Sequence, residues 1–289
     1  MQAYKELEKR FRRLGVLRDA QGILSWDDQV VMPSGAAEPR GEQLAELAAL
    51  SHEMLTDPRV GELLEQAKQE PLNDWQAANR REMERQYQRA SALEASLVAA
   101  LTKACHASEN AWRVARPAND VKIFLHHLGI LLPLLREQAA ALAEARGCSP
   151  YDALLEGYDP GMTSAAIDAA FAPMRQWLPE LIQTVSEKQK PMTEMKGHFP
   201  IPAQKVLGER LMQAIGFDTK RGRLDVSAHP FCGGATDDVR ITTRYKETEA
   251  LQAQFGVLHE TGHALYEQQL PREWQFQPVG EARGMSMHE

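Results

Sequence analysis

The chain has 289 residues, 43% hydrophobic and 25% charged, the balance of a globular protein large enough to bury a sizeable core. Its net charge of -7 excludes the clustered basic surface that nucleic acids or anionic membranes need. Three cysteines, Cys105, Cys148 and Cys232, odd in number and widely spaced, exclude a disulfide scaffold or a cysteine metal site and predict a reducing, cytoplasmic setting.

The N-terminal residues enter an amphipathic pattern at once, with no apolar signal core. From Ser34 onward Leu44, Leu47, Leu50, Met54 and Leu55 recur at helical spacing, and Asp57-Pro58 closes that stretch. Asp74 is expected to cap one long helix reaching about Val114, with Arg116-Pro117-Ala118-Asn119-Asp120 as its breaker. Another helix should run to Arg146 and stop at Gly147, and a third from Thr163-Ser164 to near Pro191. The most apolar run, Ile123 to Leu135, is too short to cross a bilayer and contains His126, His127 and Pro133, so it reads as a buried core helix.

After about Gly216 the pattern changes. Arg223 to Ala228 and Val239 to Tyr245 are β-prone and read as neighbouring antiparallel strands, with Gly233-Gly234 in the turn region between them. Glu247 to Gln269 returns to helix, with Leu251, Phe255, Leu258 and Leu265 on its apolar side. The expected architecture is mainly α: a single domain over 1–289, helical through 1–215, with a small antiparallel sheet and a motif-bearing helix in 216–289.

That last helix contains His259-Glu260-Thr261-Gly262-His263. Four residues bring the second imidazole to within about 40° of the first, one turn along, so both reach a single metal ion from one face. Glu260, beside them, is placed to address the metal's bound water and take its proton. Two histidines that merely pack are the alternative, and the strand-then-helix context argues against it. A catalytic zinc has three protein ligands and an open position. Tyr266 and Gln269 stand where a longer three-histidine motif would place its further glycine and histidine, so a later carboxylate is required. Spacing leaves Glu281 and Glu289 both open.

The chain resembles the carboxypeptidase Taq family of zinc metallocarboxypeptidases along its whole length. The resemblance is carried by Trp26-Asp27-Asp28-Gln29 with Met32-Pro33, by Tyr151-Asp152-Ala153-Leu154-Leu155 with Tyr158-Asp159-Pro160-Gly161, by His229-Pro230-Phe231, by Asp238-Val239-Arg240-Ile241-Thr242, and by the histidine pentapeptide, in family order. His288-Glu289 matches the opening of a His-Glu-Ser motif. The resemblance therefore implies a gluzincin-like fold and one zinc held by His259, His263 and Glu289, with cobalt as a possible substitute. Glu260 is the implied catalytic base, peptides the substrates, and a homodimer the assembly.

It also implies a further C-terminal part, absent from this sequence, that carries an arginine-bearing motif and a Gln-Asp-x-His-Trp motif at the substrate end of the cleft. His229 is read as a substrate-side residue against a plain strand-ending turn. Asp238 and Arg240, on one face of a strand, are read as partners that orient a zinc ligand against an ordinary ion pair. Arg244 and Tyr245 are assigned to core or surface, Trp26-Asp27-Asp28 to packing at a helix boundary, and His52, His106, His126, His127 and His198 to structure. The rival readings are another zinc endopeptidase or aminopeptidase, and a non-catalytic helical scaffold; no nucleic-acid or membrane partner is expected.

Overall fold

The computed structural model describes residues 1–191 and 195–289. Helix α1 (Gln2–Val30) buries Tyr4, Leu7 and Phe11, which recur at helical spacing. They pack on Val60, Leu63, Leu64 and Ala67 of α3 (Pro58–Ala67) and on Met83 of α4 (Asp74–Ser91). Asp57 does more than end α2 (Ala37–Thr56). Its carboxylate accepts from the Arg59 N–H and Pro58 takes the first turn, so the same dipeptide starts α3.

The single helix expected over 74–114 is two. Asn73, rather than Asp74, caps α4 through a reciprocal pair with Gln76, and α4 stops at Ser91. The chain then restarts as α5 (Ala95–Ala118). Nothing in Ala92-Leu93-Glu94 is a strong breaker, so the interruption follows from packing. Leu93 and Ala92 turn inward against Leu142, Ala143 and Ala153. Helix α5 ends on Asn119 in the left-handed conformation, and α6 (Val121–Arg146) returns beside it and ends on Gly147, also left-handed.

Only the C-terminal part of α6 is buried, through Ala139, Leu142 and Ala143. The apolar run at 123–135 is not the buried core helix expected: Leu125 and Ile130 are each 51% exposed. Helix α6 lies along α5 and meets α7. Helices α7 (Pro150–Leu155) and α8 (Ser164–Lys188) follow, capped by Ser149 and Thr163. Among the described residues no helix is long and apolar enough to cross a membrane.

Helix α9 (Ile201–Ala214) leads into the sheet of β1 (Gly222–Val226), β2 (Cys232–Ala235) and β3 (Asp238–Thr243), in spatial order β1-β3-β2. The two expected strands are neighbours, but parallel, with Arg223 opposite Arg240 and Val226 opposite Thr243. The reason lies in the segment between them. Gly233-Gly234 is not a turn but part of β2, which runs antiparallel to β3 and is joined to it by Thr236-Asp237. The chain leaves β1, descends as β2 at the far edge and comes back up the middle as β3, so β1 and β3 point the same way.

Two glycines allow α1 to lie directly on β2: a Cβ at Gly22 would stand 2.1 Å from the Gly234 carbonyl oxygen. On the other side, Met212 of α9, Phe217, Val239, Ile241 and two residues of α10 (Ala250–Gln269), Val257 and Ala264, close a second core around the sheet.

Candidate metal centre

Helix α10 faces the sheet with Ala253, Val257, Thr261, Ala264 and Gln268. Small residues on that face let it approach closely, while Leu251 and Phe255, expected on the apolar side, are exposed, Phe255 by 66%. Gln268 anchors the helix end by accepting from the Asp218 N–H and donating to the Asp218 and Arg221 carbonyls. At the other end the Thr243 hydroxyl donates to the Ala253 carbonyl, so β3 and α10 are tied directly.

This placement leaves His259 and His263 on an open side of α10, their Nε2 atoms 3.2 Å apart. Glu289 approaches from a separate segment, its carboxylate oxygens 3.9 Å from His259 Nε2 and 3.7 Å from His263 Nε2. The three ligand atoms lie within 4.8 Å of one another. Two nitrogens that are each about 2.0–2.1 Å from one tetrahedral ion stand about 3.3 Å apart, so the imidazole spacing fits a shared metal. Two neutral imidazoles and one carboxylate, with a side left open, also make a donor set suited to a hydrolytic divalent ion.

Glu289 is brought there by a turn of helix, α11 (Met285–His288), that is held from outside. The Met285 N–H donates to the Tyr158 carbonyl and the Ser286 hydroxyl to Asp159 Oδ1 at 2.7 Å. Arg283 reaches Glu82 and the Pro160 carbonyl. Gly284 permits this seating, since a Cβ there would be 2.5 Å from Asp159 Oδ1. Tyr158-Asp159-Pro160-Gly161, singled out in the sequence only as a motif, is therefore the dock for the segment carrying Glu289. His288 stacks on Tyr266 with ring centres 4.6 Å apart and meets the His263 ring edge to face at 4.8 Å.

Glu260 is 6% exposed and lies between the two histidines in sequence, facing inward. Burial raises its pKa; the neighbouring His259 and His263 oppose the rise and Glu289 adds to it. Glu281, left open as a ligand by spacing alone, is instead bonded to Arg18, and burial pushes its carboxyl up to about 7.

Asp238 and Arg240, the pair expected either to orient a zinc ligand or to form an ordinary ion pair, meet each other and Trp26. Asp238 and Arg240 bond to each other at 2.7 and 3.0 Å, and the Arg240 guanidinium sits over the Trp26 ring at 4.1 Å. Arg223 lies over the same indole at 5.4 Å. Trp26 thus joins the end of α1 to two strands through Arg223 and Arg240. Next to Trp26, Asp27 pairs with Arg40, and the buried Asp28 pairs with Arg113 at 2.6 Å. His229 is exposed; its carbonyl accepts from the Ser227 hydroxyl, and its residue lines a cavity beside Arg113, Arg116 and Arg244.

A helical body with a small sheet, a histidine pair one turn apart and a carboxylate from a later segment make a candidate metal site of the kind found in metal-dependent hydrolases. The family model described as carboxypeptidase Taq (M32) metallopeptidase matches residues 6–289, and the chain belongs to that family. It is 38% identical over 302 aligned residues to thermostable carboxypeptidase 1 of Thermus thermophilus, covering 99% of this chain and 59% of that protein. Among solved structures it is similar to Trypanosoma cruzi metallocarboxypeptidase 1, with 40% identity and a TM-score of 0.88 over 100% of this chain and 59% of that one. The M32 carboxypeptidase of Deinococcus radiodurans R1 is also similar, at 32% identity and a TM-score of 0.82, over 98% and 57% of the two chains. The chain spans about three fifths of the length of the relatives it matches. Family membership implies a divalent metal, which the His259, His263 and Glu289 set is built to accept.

Proposed function

We propose that the protein is a zinc metallocarboxypeptidase that removes residues one at a time from peptide C-termini. The observation that carries this reading is the convergence of His259, His263 and Glu289 within 4.8 Å, with Glu260 next to His259, in a chain of the M32 family. A zinc ion bound there supplies Lewis acidity, lowering the pKa of its water towards about 7 and polarising the scissile carbonyl.

The chain's own residues do the rest. The Glu260 carboxylate accepts the proton of the attacking water and returns it to the departing amine nitrogen. A base kept from solvent on a rigid helix holds its position through both transfers. Glu289, on a segment docked at Tyr158 and Asp159, completes the metal set from outside the helix. The restriction to C-termini is supported by the family and by its carboxypeptidase relatives. Zinc over cobalt, a homodimer and a cytoplasmic setting accompany this reading; they are supported by the family resemblance and, for the setting, by three free cysteines.

The test is mass spectrometry of one peptide, with free or amidated C-terminus, after incubation with the zinc-loaded protein. Stepwise loss from the free C-terminus alone is expected. Glu260→Gln should abolish that loss while keeping the metal. Equal cleavage of both peptides overturns the carboxypeptidase reading in favour of an endopeptidase or aminopeptidase, and activity retained in Glu260→Gln overturns the mechanism.

A further inference from the structure

Beside the metal-bearing helix lies a cavity of about 450 Å³ that the mechanism does not use. Its walls come from α5 (Glu109, Trp112, Arg113, Arg116), from the end of α1 (Gln29), from the loop after β1 (Ala228, His229, Phe231) and from Arg244 just past β3. It is cationic. The Arg113 guanidinium is answered by Asp28 at 2.6 Å. Arg116 only stacks on the Trp112 ring at 5.5 Å, and Arg244 has no ion pair or hydrogen bond among the described residues. Glu109 is the one carboxyl in the wall. Two guanidinium groups without an ion pair among the described residues therefore line a cavity that holds one carboxyl, Glu109.

The cavity is tied to the metal site through Pro230. A Cβ at Gly256 would lie 3.8 Å from the Pro230 ring, so the His229-Pro230-Phe231 loop rests on α10 at that glycine. Gly256, His259, Glu260 and His263 are spaced i, i+3, i+4 and i+7 and share one side of the helix. Gly256 precedes His259 by about 4.5 Å along the axis. The loop that forms one wall of the cavity thus sits on the same side of α10 as the metal ligands, one turn away.

We propose that Arg116 and Arg244 form a carboxylate subsite for the peptide substrate, next to the metal centre, with His229 at its rim. Guanidinium groups suit the task because their paired N–H donors match a planar carboxylate. The carboxylate comes either from the C-terminus of the peptide or from an acidic side chain near the scissile bond. This inference rests on the peptidase reading.

The experiment measures peptide binding rather than turnover, by calorimetry on the zinc-loaded Glu260→Gln protein, with and without Arg244→Gln or Arg116→Gln. The probes are a short N-acetylated peptide containing one Glu and its Gln counterpart, each with a free or an amidated C-terminus. Loss of either guanidinium is expected to weaken a carboxylate-bearing peptide by about tenfold or more, leave the fully amidated Gln peptide unchanged, and be partly restored by Arg244→Lys. The change that removes the arginine effect, Glu to Gln or acid to amide, identifies the carboxylate. Zinc stoichiometry and circular dichroism of each variant separate this from a folding defect, and Arg116, on the exposed end of α5, can be replaced if Arg244 cannot. Equal affinities for all four peptides, or equal losses for all four on substitution, overturn the subsite. If the arginine dependence holds while the unsubstituted protein cleaves amidated and free peptides alike, the carboxypeptidase reading fails and the subsite stands.

Discussion

Asp159 accepts a 2.7 Å hydrogen bond from the Ser286 hydroxyl, and through it the turn after α7 holds the segment that presents Glu289 to the histidines of α10. The candidate metal centre is thus assembled from two places, a rigid helix and a docked strap. Removing the dock should loosen one ligand and spare the other two. Asp159→Ala is expected to weaken zinc binding by about 10-fold or more, the usual cost of losing a group that orients a ligand. A competitive chelator titration reads this directly, and an unchanged affinity would show that Glu289 is either held by other contacts or not a ligand.

The Trp26 indole, under Arg240 and Arg223, predicts a different signature. Arg240→Ala should cost roughly 1–2 kcal/mol of stability, the worth of a partly desolvated cation–π contact, with zinc affinity unaltered. Urea unfolding beside a zinc titration separates the outcomes. Loss of metal affinity without loss of stability would assign Arg240 the role of orienting a ligand.

Much of the site is legible in the sequence because it is local. His259, Glu260 and His263 are related by one helical turn, and any helix carrying them brings both imidazoles to one side. Glu289 is not local. Spacing left it level with Glu281, and only the family motif preferred it; what separates them in space is the bond from Arg18 to Glu281 and the Tyr158-Asp159 dock under Met285 and Ser286. Strand direction was hidden for a similar reason. The parallel pairing of β1 with β3 depends on where Cys232–Ala235 goes, and a Gly-Gly pair looks the same in a turn as in a strand against α1. Hydropathy marks Leu125 and Ile130 as apolar without saying whether another element covers them.

Glu281 gives a pH dependence. Its folded-state pKa is raised, to about 7, from the ordinary carboxyl value of 4.5, chiefly by burial. Between those values the folded protein holds a proton that the unfolded chain releases, so this group's contribution is full below about 4.5 and is lost as pH rises through 7. Glu281→Gln should flatten that part of the stability profile, with the gain over the unsubstituted protein largest above pH 7. Chemical denaturation across the range checks it. A profile that keeps the same slope would assign the titration to another group.

In the proposed site His259, His263 and Glu289 hold one divalent ion, with Glu260 left free to act on its water. Zinc titration calorimetry of the protein, Glu260→Gln and His263→Ala tests it most directly. One zinc per chain is expected for the first two and loss of tight binding in the third. Zinc bound equally well without His263, or lost without Glu260, would contradict it.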